Sequence, residues 1–111
     1  MVAKDGSGRL LGCGQLKPHG GGVVELASIA VEPDSRGQGI ARAIIEHLLA
    51  QPPRPVYLTC RSSLGSFYER WGFQAIILDE MPPYFRRLAR LVSLMTAGAW
   101  RGESMLVMRM H

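Results

Sequence analysis

At 111 residues the chain is long enough for one hydrophobic core and too short for two, so a single domain over residues 1–111 is expected. With 47% hydrophobic and 20% charged residues it does not read as a disordered chain, and no apolar run approaches the roughly eighteen residues of a membrane helix. The net charge of +4 favours anionic partners, phosphate-bearing cofactors among them.

Met1 to Lys4 reads as a short strand, and Asp5-Gly6-Ser7-Gly8 as a turn leading into a second strand from Arg9 to Lys17, so the two form a hairpin. The first eight residues lack the apolar block of a secretory signal, which makes the cytoplasm the expected location. Pro18 to Gly22 is a loop. Val23 to Val31 is a strand with few polar breaks, the pattern of a central strand covered on both faces.

Pro33-Asp34-Ser35 turns the chain into a helix from Gly37 to Gln51, with Ile40, Ala41, Ile44, Ile45, Leu48 and Leu49 on one stripe. Arg42 and Glu46 face water as an i,i+4 pair, and Pro52-Pro53 ends the helix. Val56 to Cys60 is a strand that should lie parallel to Val23–Val31. Leu64, Phe67, Tyr68 and Trp71 share one face of a short helix, and Gly72 sits where a left-handed residue closes it. Phe73 to Leu78 is a strand. Tyr84, Leu88, Leu91, Val92 and Met95 mark a third helix, and Ser104 to Met110 a last strand after Gly98–Gly102. This order of elements makes an α+β (mixed α/β) fold, a central mixed sheet flanked by helices.

Arg86, Arg87 and Arg90 read as the solvated face of the third helix; no stacking or groove-reading motif accompanies them, which argues against a nucleic-acid partner. Cys13 and Cys60 have neither metal-ligand spacing nor a disulfide framework and read as small buried hydrophobes.

The segment Arg36-Gly37-Gln38-Gly39-Ile40-Ala41 opens a helix directly after a strand and a turn. A helix N-terminus offers unpaired N–H groups and partial positive charge, and glycines let an anion reach the backbone. Arg36 can add a charge-assisted contact. Neither the P-loop nor the dinucleotide-binding pattern is present. From these residues alone, a plain glycine turn and a pyrophosphate site both stand.

Leu26 to Pro33 followed by Arg36 to Ala41 resembles the acetyl-CoA motif of the GNAT superfamily of N-acetyltransferases, (R/Q)-x-x-G-x-(G/A) after a strand ending in Val-x-Pro. Phe67-Tyr68-Glu69-Arg70-Trp71-Gly72-Phe73 resembles the family's (L/F)YEKxGF segment. The resemblance implies a GNAT fold, acetyl-CoA as donor, direct acetyl transfer, and an acceptor that is a small-molecule or peptide amine. It also implies that the family's fourth and fifth strands, here Val23–Val31 and Val56–Cys60, splay to admit the pantetheine arm. Main-chain groups of Ile29 and Val31 would hold that arm, with the Ile29 N–H aimed at the thioester oxygen.

Tyr68 matches the family's general acid, although periodicity alone equally makes it a core aromatic. Glu25, the only carboxylate inside the central strand, is the candidate base, or else a strand-end residue facing solvent. His19 lies near the same mouth and is of a type that titrates in the useful range. Where many members carry Asn and Ala, this chain has Arg61 and Leu64, so Arg61 is expected to reach a phosphate or an acidic substrate.

Family members usually begin with a strand and one or two helices that this chain lacks, so an N-terminally shortened domain is implied. Its bare sheet edge calls for a homodimer. The alternative to an enzyme is a catalytically silent CoA-binding or interaction module.

Overall fold

The computed structural model describes residues 1–50, 55–95 and 104–111. Strands β1 (Val2–Lys4) and β2 (Leu10–Pro18) form the expected antiparallel hairpin. Its turn is held by the Asp5 carboxylate, which accepts hydrogen bonds from the Ser7 and Arg9 N–H groups. These bonds, with that from the Ser7 hydroxyl foremost, hold the Asp5 carboxyl below its ordinary range.

β3 (Val24–Val31) runs antiparallel to β2, and β4 (Val56–Arg61) runs parallel to β3. The last strand, β6 (Met105–Met110), inserts between β4 and the two-residue β5 (Gln74–Ala75). The sheet order is therefore β1-β2-β3-β4-β6-β5. Helices α1 (Ile40–Leu48), α2 (Gly65–Glu69) and α3 (Pro83–Met95) flank it.

Side chains alternate across a strand, so β4 feeds two cores. Val56, Leu58 and Cys60 join Leu26, Ile45, Phe73, Met108 and Met110 on the face of α1 and α2. Tyr57 points the other way, to Phe85 and Val107 under α3. The α1 face is unusually close to the sheet. A Cβ on Gly12 would stand 2.8 Å from the Ala30 carbonyl oxygen, and one on Gly14 would overlap Ile29 Cδ1 and stand 2.8 Å from Ile44 Cγ2.

Several expectations are corrected. α1 begins at Ile40 rather than Gly37, because Gly37 and Gly39 take left-handed φ values of 83° and 76° that no helix can contain. It ends at Leu48; Gln51, Pro52 and Pro53 lie outside the described residues, as do Gly98–Gly102. Only the first half of β3 is covered on both faces; from Ala27 onward it is half-buried or exposed. The strand expected over Phe73–Leu78 shrinks to a two-residue ladder, after which Leu78–Glu80 turn as a 3-10 helix. The anchor of α3 is Phe85, fully buried between Tyr57 and Val107, while Leu91 is 53% exposed. Arg86 folds back to donate to the Met81 carbonyl, leaving Arg87 and Arg90 as the exposed pair. Cys60 is buried but Cys13 only partly so. Gly72 takes the left-handed φ, 91°, expected of it.

Candidate functional site

β3 and β4 pair only at Val24–Val56 and Glu25–Tyr57. Beyond these two pairs the strands separate, which is the splay that the resemblance implies. A bulge in β3 contributes to this. Opposite Cys13 to Gln15 of β2 the register shifts by one, from Ala30 to Ala27, and Ser28 adopts a φ of 60°. The extra residue reverses the facing of the strand, so that Ile29 packs toward Gly14 and α1.

Two clefts open on the gap. The larger, about 650 Å³, is walled by Ile29, Val31, Arg36, Gly37, Gly39, Ile40, Ala41, Phe67, Tyr68 and Arg70, while Gln38 of the turn is exposed and not among its walls. The smaller, about 280 Å³, lies between the separated strands and is bordered by Glu25, Ser28, Ile29, Thr59, Cys60 and Tyr68. Tyr68 belongs to both, and Ile29 does too.

At the large cleft Gly39 is the N-cap of α1 and has no side chain with which to close the first-turn N–H groups. Nothing lies within 4 Å of where a Cβ would stand on Gly37 or Gly39, so the turn is an open cradle of backbone. That geometry fits a pyrophosphate set on the helix N-terminus. Arg36, Arg42 and Arg70 supply positive charge around it. The Arg36 side chain turns back toward the Val31 carbonyl, its Nε 3.4 Å away. Arg42 is held by Glu46 at 2.9 Å, as the i,i+4 spacing suggests. Sequence reasoning missed Arg70, whose guanidinium sits 5.7 Å from the Phe67 ring centroid, although Arg70 occupies the basic position of the (L/F)YEKxGF segment.

Tyr68 combines its two sequence readings. Its ring packs edge-on against Phe67 and Phe73, yet it borders both clefts. Burial, and secondarily the neighbouring Cys60, push its phenol above the usual value, so it holds its proton at neutral pH. Burial also pushes the Cys60 thiol up, and its Sγ lies 3.8 Å from Met108 Sδ. A thiol so placed is poorly suited to nucleophilic attack.

Glu25 is 8% exposed, which corrects the reading of it as a solvent-facing strand end. Its Oε1 lies 2.6 Å from His19 Nε2. His19 is correspondingly no mobile loop residue: its ring stacks on Tyr84 with centroids 4.0 Å apart and meets the edge of Phe85. The β2–β3 hairpin, which pairs Lys17 with Glu25 and Pro18 with Val24, brings His19 and Glu25 together, and α3 adds the two rings that hold the imidazole. Arg61 is exposed at the end of β4, opposite Met105, and is not among the residues bordering either cleft; Leu64, 45% exposed, borders both.

Comparison with known proteins follows the same lines. The family model for an acetyltransferase (GNAT) domain matches residues 1–75. No curated protein matches the chain by sequence. Among solved structures, N-acetylglutamate synthase from Neisseria gonorrhoeae, complexed with coenzyme A and N-acetyl-glutamate, superposes with a TM-score of 0.72 at 23% identity. The match covers 99% of this chain and 25% of the synthase. An acyl-CoA N-acyltransferase from Pseudomonas aeruginosa gives a TM-score of 0.67 at 23% identity, over 99% of this chain and 65% of that one. A Mycobacterium tuberculosis protein in complex with CoA gives 0.66 at 23% identity, over 96% and 72%. The shared feature is the fold, and this chain spans a quarter of the length of the synthase.

Proposed function

The chain belongs to the GNAT acetyltransferase family, and from that premise we propose that it moves an acetyl group from acetyl-CoA directly to an amine. The observation that carries this reading is the shared wall. The left-handed glycine turn at the start of α1 and the partly buried Tyr68 border one cleft, so a pyrophosphate on the turn directs the pantetheine arm past Ile29 toward Tyr68.

In this reading the N–H groups from Gly37 to Ala41 bind the pyrophosphate, with Arg36 and Gln38 at its rim. Main-chain groups of Ile29 and Val31 hold the arm in the gap between β3 and β4. The Ile29 N–H stabilises the negative charge that develops on the thioester oxygen. Glu25 takes the proton of the acceptor ammonium through a water, and the freed amine attacks the thioester carbon. As the carbon–sulfur bond breaks, the Tyr68 hydroxyl protonates the departing thiolate. The raised Cys60 thiol favours this direct route over one through an acylated cysteine.

The acceptor class stays at the level of an amine, either a small molecule or a peptide. A homodimer joined at the β1 edge accompanies the reading: Val2 on that edge strand is 56% exposed, and Leu10 of the neighbouring β2 is 50% exposed. Among the described residues no helix is long and apolar enough to cross a membrane.

The test is thiol release from acetyl-CoA, followed with DTNB across a panel of L-amino acids, spermidine and a peptide with a free N-terminus. Amine-dependent release supports transfer. Tight CoA binding with no release on any amine identifies a silent CoA-binding module instead.

A further inference from the structure

Every turnover of the reaction proposed above leaves a proton on Glu25, and the base must lose it before the next transfer. The structure offers an outlet. Glu25 borders the cleft between β3 and β4, whereas His19 borders a separate pocket of about 330 Å³ on the α3 side, together with Gly20, Val23, Tyr84 and Arg87. The one hydrogen bond of 2.6 Å between His19 Nε2 and Glu25 Oε1 bridges the two spaces.

We propose that His19 is a positioning residue that relays the proton from Glu25 to the solvent of the α3-side pocket, resetting the base after each transfer. The inference rests on the reading of Glu25 as the base. The proton balance is simple: the ammonium N–H bond breaks and an O–H bond forms on Glu25. That proton passes to His19 Nε2, and the other ring nitrogen releases one to water. No oxidant, reductant or further reactant enters.

The surroundings suit a relay because they fix the ring between the carboxylate and the α3-side pocket that it borders. Tyr84 stacks on the imidazole and Phe85 meets its edge, so both rings of α3 hold it in line with the carboxylate. The charged and titratable groups on the elements around the pair are Lys17, opposite Glu25 in β2; Tyr57, opposite it in β4; and Tyr84 and Arg87 from α3. In the adjacent pocket the group carrying permanent positive charge is Arg87.

The experiment compares wild type, His19→Gln and Glu25→Gln in the thiol-release assay with acetyl-CoA and the amine panel, at rising buffer concentration. Gln keeps a hydrogen bond to Glu25 but cannot pass a proton through itself. The expected result for His19→Gln is a fall in kcat of about tenfold, less than the roughly hundredfold or more that loss of a general acid or base itself costs, with KM for acetyl-CoA unchanged. Its kcat should rise with imidazole concentration while that of wild type does not. A His19→Gln enzyme with full kcat, or with a lowered kcat that ignores buffer, overturns the relay while an inactive Glu25→Gln leaves the base in place. Full activity in Glu25→Gln overturns the base and the relay together, and a wild type that transfers to no amine overturns the enzymatic reading itself.

Discussion

Glu25 and Tyr68 border one cleft from opposite faces of the sheet. Glu25 is tied through His19 to the rings of α3, and Tyr68 packs on the other face among Phe67, Trp71 and Phe73. The gap between β3 and β4 is what lets two residues on different faces address one space. Under the proposed function, this places the proposed proton acceptor and proton donor on the two sides of one cleft.

Tyr68→Phe separates chemistry from packing. The ring contacts with Phe67 and Phe73 survive the change and only the hydroxyl is lost. The expected outcome is a fall in kcat of about a hundredfold, the lower end of general acid–base effects, with CoA affinity and Tm nearly unchanged. Thiol release and a circular-dichroism melt on the same preparation check it. An unchanged kcat would leave Tyr68 as a core aromatic.

The same residue predicts how stability depends on pH. Burial raises the Tyr68 phenol above 10.0 and the Cys60 thiol above 9.0 in the folded protein. The unfolded chain therefore releases these protons first, binds fewer protons than the folded one, and gains in relative stability as pH rises. Folding stability should be intact below about pH 9 and decline from there upward. Urea denaturation at pH 8 and pH 10 measures the decline, and Tyr68→Phe should make it shallower. A slope identical in the variant contradicts the assignment.

Gly14→Ala tests how closely α1 lies on the sheet. The added methyl meets Ile29 Cδ1 and Ile44 Cγ2, both held in the core beside the cofactor cleft. Overpacking of this kind costs about 1–3 kcal/mol, and because Ile29 borders the cleft, CoA affinity should drop with it. Equilibrium denaturation and CoA titration check the two effects. A variant as stable as wild type would mean that the helix can lift away freely.

Self-association through the β1 edge should give a dimer at micromolar concentration in sedimentation velocity, and Val2→Lys should shift it toward monomer by placing a charge on the edge. A monomer in wild type at that concentration contradicts the dimer.

Much of this was legible in the residues. The glycine turn, the pattern of β3 and the spacing from Arg36 to Phe73 carry the family, because each is written in consecutive residues. What could not be read is whatever depends on elements meeting in space. Phe85 replaced the expected stripe of α3 because only its position reaches the gap between Tyr57 and Val107. The stacking that holds the His19 ring comes from α3, far along the chain from the hairpin that carries His19 and Glu25. Phe73–Leu78 has the composition of a strand, but past Ala75 the chain leaves the ladder and turns at Leu78–Glu80, so composition overstated its length. Ser28 gave no warning of the bulge that turns Ile29 toward α1, since a left-handed serine has no sequence signature.

The most direct test of the account is a crystal of the protein soaked with CoA. The account predicts pyrophosphate density against the N–H groups from Gly37 to Ala41, with the pantetheine arm running past Ile29 toward Tyr68. Gly39→Ala, which places a methyl in the open cradle at a φ of 76°, should abolish that density. Pyrophosphate bound anywhere other than on the glycine turn would contradict the central claim.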